Sequence, residues 1–267
     1  MAPRGRVVAW RVPETSISFE RAADYYDETR GYPDGLAPTI ASEIAVAGRC
    51  KGDELLLEIG VGTGRVALPV AEHVRRVVGV DLAESMLRKL VAKRANRSVD
   101  AVRADLLQLP FADDHFDVAL SLHVLHLVAD WQAALRELAR VMSPHGLYVQ
   151  ASDGRRLRVL WDEVNARLPT LQLDLGATHM PTDFPILGGF AAAGPERRLH
   201  YTQMTHVPTV LDQLRRRVWS ATWTMSDRAL GELVTTFEQV VQERYGCIPH
   251  ALEDTRTFTV RVYRPDR

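Results

Sequence analysis

A hydrophobic run that leads into a glycine-rich turn constrains the fold of this 267-residue chain more than any other feature. In the stretch LLLEIGVGTGR, an apolar strand reaches Glu58, and three glycines then occupy alternate positions: Gly60, Gly62 and Gly64. Because glycine tolerates positive φ, such a turn brings the backbone close to a ligand, and the helix after it offers free N–H groups to an anion. The next apolar run ends in Asp81, where a βαβ unit places an acid that binds ribose hydroxyls. These features predict a nucleotide-binding βαβ unit.

The spacing of the glycines discriminates between two classes of nucleotide. The dinucleotide fingerprint G-x-G-x-x-G has a third glycine that permits close packing of the helix on the strand. Here Arg65 occupies that position, and the third glycine comes one residue earlier. An NAD-binding oxidoreductase shares the fold and the ribose acid and so remains an alternative, but the spacing argues against it.

The pattern E-x-G-x-G-x-G resembles motif I of the Rossmann-like (class I) S-adenosylmethionine (SAM) methyltransferases. The later segments follow in that family's order: a helix near 83–95, a strand that ends at Asp105 and Leu106, a fourth strand FDVALS and a fifth strand LYVQAS. The resemblance is to the small-molecule branch, the ubiquinone/menaquinone-biosynthesis type, and covers about residues 52–152. It implies a doubly wound α/β fold whose mostly parallel sheet ends in an antiparallel C-terminal strand, with helical caps.

The resemblance also implies the cofactor, SAM, its product S-adenosylhomocysteine (SAH), and the residues that bind them. Glu58 would hold the glycine loop and the amino-acid end of the cofactor, while Asp81 would bind the ribose. Asp105 would accept from the adenine amine, with a helix cap as its alternative role, and Leu106 would lie against the ring. Arg30 would reach the cofactor carboxylate. The expected cofactor set comes from the prefix helix, the glycine loop and the strand ends: Tyr26, Arg30, Glu58, Gly60, Val61, Gly62, Gly64, Asp81, Leu82, Met86, Asp105, Leu106 and Ser121.

Methyl transfer requires few catalytic residues, because the sulfonium-bound methyl group of SAM is already electrophilic. A base is needed only when the acceptor arrives protonated. His123 and His126 follow the fourth strand, and histidine is the side chain best suited to remove a proton near neutral pH. They are the candidate catalytic residues, with hydrogen bonding to the backbone as the alternative. His179 is a third candidate in the irregular segment 169–195, which we expect to act as a lid over the acceptor.

Composition limits the partners. The 33 Lys and Arg against 34 Asp and Glu give a formal net charge of −1, which argues against nucleic acid. The Asn/Asp-Pro-Pro-aromatic motif of enzymes that methylate adenine or glutamine is absent after the fourth strand.

The two cysteines show no metal-ligand spacing, and no apolar run approaches the roughly 18 residues of a membrane span. We expect a cytoplasmic, metal-independent monomer or homodimer that acts on a small-molecule acceptor, with no membrane or nucleic-acid partner. A SAM-binding regulatory protein without methyl transfer is a further alternative.

The predicted division of the chain has three parts: a helical prefix or lid (1–50), a SAM-binding Rossmann-like core (51–152), and acceptor-side helices with the last strands of the same sheet (153–267). In the prefix we expect a helix from Phe19 to Arg30 with Ser18 as its N-cap, and a second helix over 36–47. The closing stretch TRTFTVRVY alternates apolar and polar residues, which is typical of a strand with one buried face.

Overall fold

A computed structural model describes residues 16–154, 156–171 and 184–266 of the chain. Within these ranges, eight strands form one sheet in the order β3-β2-β1-β4-β5-β8-β6, and β7 also pairs with β8. The strands are β1 (Leu55–Ile59), β2 (Arg76–Asp81), β3 (Val99–Arg103), β4 (Phe116–Leu122), β5 (Met142–Asp153), β6 (Phe190–Ala192), β7 (Arg197–His206) and β8 (Ala251–Pro265). The pairs among β1 to β5 are parallel, and those of β8 are antiparallel. The predicted Rossmann-like α/β fold with an antiparallel C-terminal strand is confirmed.

Helices cover the sheet and extend beyond it. They are α1 (Tyr26–Arg30), α2 (Leu36–Ala47), α3 (Ala67–Val70), α4 (Glu84–Lys93), α5 (Trp131–Val141), α6 (Arg158–Arg167), α7 (Phe184–Leu187), α8 (Val207–Arg215) and α9 (Asp227–Tyr245). Short 3₁₀ turns lie at Glu20–Ala22, Leu125–Leu127, Pro169–Leu171 and Ser220–Thr222. The predicted second helix of the prefix is confirmed as α2, which ends at Gly48.

Both faces of the sheet are buried, which explains why β1 is a nearly continuous apolar run. Leu56 packs on the face covered by α2 and α3, whereas Leu57 packs on the face covered by α5. The alternating residues of β8 also behave as predicted, with Phe258 and Val260 buried on the first of these faces. Helices α6, α8 and α9 enclose a further cluster around Trp161. The parallel register places the carboxyl ends of β1 to β5 at one edge of the sheet.

The first helix of the prefix differs from the prediction. Instead of one helix from Phe19 to Arg30, the chain forms the Glu20–Ala22 turn and then the short α1. The break falls at Tyr25, whose φ of −116° and ψ of 0° are not helical. Ser18 caps nothing here, because the residue before the turn is Phe19 and no side chain caps it. Glu20 instead accepts hydrogen bonds from the first backbone N–H groups of α4, so a tertiary contact replaces helical continuity.

The helix after the glycine loop is only one turn long. It comprises only Ala67–Val70, and no side chain caps its start at Val66. One turn carries little dipole, so an anion at this edge would depend on the free N–H groups of α3 and of the glycine loop.

The irregular segment 169–195 does not form one lid. Residues 184–192 form α7 and β6, and Phe190 pairs with Pro265 while it packs against Tyr148 at 5.2 Å between ring centroids. Tyr148 pairs with Ala119 of β4 and with Tyr263 of β8, in the middle of the sheet. The lid prediction is thus wrong for 184–192, because Phe190 is buried in the core. Residues 172–183, including His179, lie outside the described residues.

Candidate active site

A cavity opens at the edge where β1, β2 and β4 end, between the glycine loop and the prefix. It encloses about 680 Å³, including its open mouth. Eight of the predicted cofactor residues line it: Tyr26, Gly60, Gly62, Asp81, Leu82, Met86, Asp105 and Leu106. The cavity wall also includes Leu122 and His123, which the sequence places at the end of the fourth strand, and residues that the sequence did not suggest: Ser16, Ile17, Phe19, Val124, Leu127 and Val128.

All three glycines of the loop have positive φ, but the space available to a Cβ differs from one position to the next. Gly60 has φ +68°, and a Cβ placed there would lie 2.4 Å from Val124 Cγ2. Gly64 has φ +82°, and its Cβ would lie 2.3 Å from Leu90 Cδ1 on α4. A Cβ on Gly62 would meet nothing closer than 4.0 Å, so this position faces the cavity. Gly64 therefore provides the close helix packing that the dinucleotide motif assigns to a later glycine.

Asp81 links β2 to the glycine loop and faces the cavity. Its Oδ2 accepts the Gly62 N–H at 2.8 Å, and its Oδ1 accepts the Ala83 N–H at 2.8 Å. Burial raises the pKa of Asp81, whereas these backbone hydrogen bonds oppose the shift. Each carboxylate oxygen retains a second lone pair, so the pair can accept from two adjacent hydroxyls of a ribose.

Glu58 is a buried acid beneath the loop, only 3% exposed. Its Oε2 has no hydrogen-bond partner among the described residues. Burial raises the pKa of Glu58 to about 8, and the positive charge of Arg65 opposes the shift. The open position at Gly62 and the carboxylate of Asp81 match the ribose diol of SAM, whereas the unpartnered Glu58 oxygen lies beneath the loop and outside the cavity.

We expect the Glu58→Gln variant to be more stable than the parent at alkaline pH in the absence of ligand. A carboxyl group whose pKa is 4.5 unfolded and about 8 folded stabilises the fold fully below pH 4.5 and loses that contribution as the pH rises to 8. Glutamine does not titrate, so the free energy of unfolding of the variant should gain more than about 1 kcal/mol on the parent between pH 5 and 8. Urea denaturation at several pH values measures this difference.

The exposed Glu253→Gln on β8 is the matched control for the loss of one carboxyl group. If the gap between Glu58→Gln and the parent stayed constant over this pH range, the buried carboxyl group would not be protonated as described.

Five of the predicted cofactor residues do not line the cavity: Arg30, Glu58, Val61, Gly64 and Ser121. Ser121 is buried, and its hydroxyl lies 2.6 Å from the Tyr148 hydroxyl, so it lies beneath the site rather than in it. The side chain of Val61 packs in the core against Gly79, and its N–H donates to the Val80 carbonyl at 3.0 Å. Strand alternation explains the correction for Ser121, since Leu122 faces the cavity in its place.

His123 lines the cavity but is poorly suited to act as a base. Its Nε2 accepts the backbone N–H of Asp153 at 3.3 Å, and the residue has φ +54°. Burial, followed by the charge of Arg65, holds the pKa of His123 well below its usual value. In a neutral imidazole whose Nε2 accepts, the proton resides on Nδ1, so neither nitrogen has a free lone pair. The structure therefore favours the alternative of a backbone hydrogen bond at the wall of the site.

His126 lies in the Leu125–Leu127 turn, behind the cavity wall. Its Nδ1 is buried and has no partner among the residues that the structure describes. Burial, with a smaller effect from Arg30, lowers the pKa of His126 to about 4. The ring is thus neutral, and its role as a base stays a prediction.

The start of the prefix forms a part of the cavity wall that the sequence did not predict. The Ile17 N–H donates to the Leu127 carbonyl at 2.9 Å, which joins the prefix to the loop after β4. Phe19 packs against Trp223 with ring centroids 4.9 Å apart. No periodic pattern marks these residues, because their contacts connect segments that are far apart in the chain.

Two negative observations apply to the ranges that the structure covers. No group of three or more His, Cys, Asp or Glu side chains there is arranged to hold a metal ion. Among the helices of those ranges, none is long and apolar enough to cross a membrane.

Comparison with known proteins identifies the domain. Residues 57–150 match the family described as methyltransferase domain. The chain is 34% identical over 155 residues to the malonyl-[acyl-carrier protein] O-methyltransferase of Halorhodospira halophila, covering 55% of the chain and 52% of the relative. It is 26% identical over 174 residues to the demethylmenaquinone methyltransferase of Paenarthrobacter aurescens, covering 65% and 64%.

The fold has solved counterparts. The crystal structure of the YcgJ protein from Bacillus subtilis superposes with a TM-score of 0.58 and 16% identity, covering 86% of this chain and 99% of YcgJ. The sequence matches are shorter and span about half of the first relative and just under two thirds of the second. Residues 57–150 therefore form a methyltransferase domain, as the glycine pattern predicted.

Proposed function

We propose that this chain, whose residues 57–150 form a methyltransferase domain, transfers the methyl group of SAM to a small-molecule acceptor. The observation that carries the proposal is Asp81, joined to Gly62 at 2.8 Å on the wall of an open cavity. The names of the relatives support a small acceptor, because one methylates a malonyl group on its carrier protein and the other a demethylmenaquinone.

The chain's own residues would bind and orient the cofactor. Asp81 would accept from the ribose hydroxyls, and Gly62 would admit the cofactor to the backbone. Leu106 and Asp105 would contact the adenine, although Asp105 Oδ1 already accepts the Leu107 N–H at 3.0 Å as a local cap. SAM itself supplies an electrophilic methyl group, so this architecture needs no covalent enzyme intermediate.

The acceptor would lie on the side of the cavity formed by the end of β4. Ligands of such sheets bind outside the carboxyl ends of the strands, and Leu122 and His123 occupy that place here. The apolar side chains Ile17, Leu127 and Val128 would keep water from the reacting atoms. The cytoplasmic location and the monomeric or homodimeric state remain our predictions, for fractionation and light scattering to test.

We expect the purified protein to bind SAM and SAH and to show no measurable binding of NAD or NADP. The reason is that Arg65 occupies the position of the third dinucleotide glycine, while Asp81 remains available to one ribose. Isothermal titration calorimetry with all four ligands measures this preference.

Tight dinucleotide binding without any response to SAM would contradict the proposal and favour the oxidoreductase. SAM binding without methyl transfer to any acceptor in a small-molecule extract, followed with methyl-labelled SAM, would favour the regulatory alternative.

A further inference from the structure

The side of the cavity next to the end of β4 is almost entirely apolar. We call it the β4 wall, and its described residues are Ile17, Leu122, His123, Val124, Leu127 and Val128. The acids of the cavity, Asp81 and Asp105, lie at or just after the ends of β2 and β3, where the ribose and the adenine would bind. His123 is therefore the one polar side chain of the β4 wall. Ser16, which also lines the cavity, already accepts the Ala129 N–H at 3.3 Å.

The strand beside β4 fixes which nitrogen of the His123 ring carries the proton. β4 ends at Leu122, whereas its partner β5 continues to Asp153. Beyond the end of β4, the imidazole takes the place of a strand carbonyl, because His123 Nε2 accepts the Asp153 N–H at 3.3 Å. The next N–H, of Gly154, donates to the Thr257 carbonyl of β8 on the other side at 3.0 Å. A backbone N–H can only donate, so Nε2 is the nitrogen with the lone pair.

The peptide that donates to His123 is itself held in place. Asp153 Oδ2 lies 2.8 Å from Arg256 Nη2, and Asp153 Oδ1 accepts the Tyr201 hydroxyl at 2.7 Å. Arg256 Nε also donates to the Gly154 carbonyl at 2.7 Å. The two charged side chains are only 3% and 9% exposed, so this hydrogen-bonded ion pair fixes the direction of the Asp153 N–H.

The His123 ring is neutral in these surroundings. A second proton would place an N–H on Nε2, directly against the N–H of Asp153. Burial, and then the charge of Arg65, also lowers the pKa of His123 well below its usual value. The proton of the neutral ring is therefore on Nδ1, and this N–H is the polar group that the ring can offer to a ligand in the cavity.

Resting on the proposed function, we infer that His123 binds the acceptor as a hydrogen-bond donor, and that the acceptor is an otherwise apolar molecule with an uncharged oxygen, a carbonyl or an ether, which accepts from Nδ1–H. A general base needs a free lone pair, which this ring lacks, so His123 selects the acceptor and does not deprotonate it. A site that donates a hydrogen bond to one oxygen discriminates against analogues that lack it, because its donor would then stay unpaired.

Nitrogen-15 NMR of the labelled full-length protein tests the tautomer without any acceptor. A ring nitrogen that carries a proton and one that carries a lone pair have well-separated chemical shifts, and His123→Asn identifies the His123 signals by their loss. We expect a protonated Nδ1 and an unprotonated Nε2 at pH 7. A protonated Nε2, in the other tautomer or in an imidazolium, would overturn the inference.

Acetophenone and ethylbenzene test the donor, because they differ only by a carbonyl in place of a methylene group. Their affinities for the SAH-saturated full-length protein are measured by NMR titration, in the parent and in His123→Ala. The cost of removing each probe from water is the same for both proteins, so the ratio of the two affinities isolates the contact with His123. We expect the affinity for acetophenone relative to ethylbenzene to fall by about threefold to tenfold in His123→Ala, the range of a hydrogen bond between uncharged groups.

Two further variants locate the contact. His123→Asn should keep part of the parent's ratio, because its amide can donate and asparagine tolerates the φ of +54° at this position. The control is His145→Ala, an exposed histidine near the start of β5, which should leave the ratio unchanged. If Ser16→Ala lowered the ratio and His123→Ala did not, the donor would be Ser16 and the inference would be wrong.

The affinity for SAH, measured in the same samples, separates the two levels of the proposal. A parent protein that binds no SAH would overturn the proposed function. A parent that binds SAH but neither probe, or whose ratio of probe affinities is unchanged in His123→Ala, would overturn only the inference on His123.

Discussion

Replacing Asp81 by alanine is expected to weaken the binding of SAM and SAH by about tenfold to a hundredfold. Hydrogen bonds to a charged group contribute about 1.5–3 kcal/mol, and this carboxylate is the proposed acceptor for the ribose hydroxyls. The substitution also frees the Gly62 N–H, which Asp81 Oδ2 accepts at 2.8 Å, so the glycine loop loses its link to β2. Both effects act in the same direction, and calorimetry with SAH measures their sum.

Asp117→Ala is the matched control for this experiment. Asp117 also accepts a backbone N–H, that of Leu55 at 2.9 Å, but it lies at the start of β4, at the opposite end of the sheet. The control should lose a comparable hydrogen bond without any change in SAH affinity. If Asp81→Ala bound SAH as tightly as the parent, or if both variants lost affinity equally, Asp81 would have no specific role toward the ribose.

The Gly60→Ala variant is expected to lose about 2–4 kcal/mol of folding free energy. An alanine at φ +68° has a backbone cost of about 1 kcal/mol. Its Cβ would also lie 2.4 Å from Cγ2 and 2.5 Å from Cβ of Val124, a stiff β-branched side chain, and such overpacking costs about 1–3 kcal/mol. Because Val124 lines the cavity, the variant should bind SAH more weakly too.

Gly35→Ala separates the two contributions. Gly35 has φ +78° as the N-cap of α2, but a Cβ placed there would meet no atom within 4 Å. Urea denaturation should therefore show only the backbone cost of about 1 kcal/mol for Gly35→Ala. Equal losses in the two variants would mean that Val124 moves aside without cost and that contact with it does not restrict Gly60.

Several parts of the site could be predicted because their information is local. The strand, the alternate glycines and Asp81 lie within 27 residues of one another, and the geometry of a βαβ unit brings them together once the strands form. The helix Leu36–Ala47 and the alternation of β8 are likewise periodic patterns that identify a buried face. To predict these parts, only the period of the apolar residues and the conformational freedom of glycine were needed.

Other parts depended on partners that the sequence does not mark. The predicted prefix helix breaks at Tyr25, and before the break the Glu20 carboxylate caps α4, a contact between residues more than sixty positions apart. Ser121 turns toward Tyr148 and away from the cavity because strand alternation along β4 places Leu122 on the cavity side. Phe190 lies in the core and not in the predicted lid. Its ring is buried against Tyr148, although the composition of the surrounding segment is irregular.

The sequence alone determined the edge that carries the glycine loop and Asp81, because short-range strand, turn and strand patterns specify it. Only the tertiary structure decided which side chains lie beside that edge. Arg30, Arg65 and Arg256 come from α1, the glycine loop and β8, and their charges act on the His123 ring only because the folded sheet brings these elements together. The tautomer of His123 was decided in the same way, by the Asp153 N–H that the neighbouring strand supplies. Local patterns encode backbone conformation, whereas charge and protonation depend on which distant side chains share a buried space.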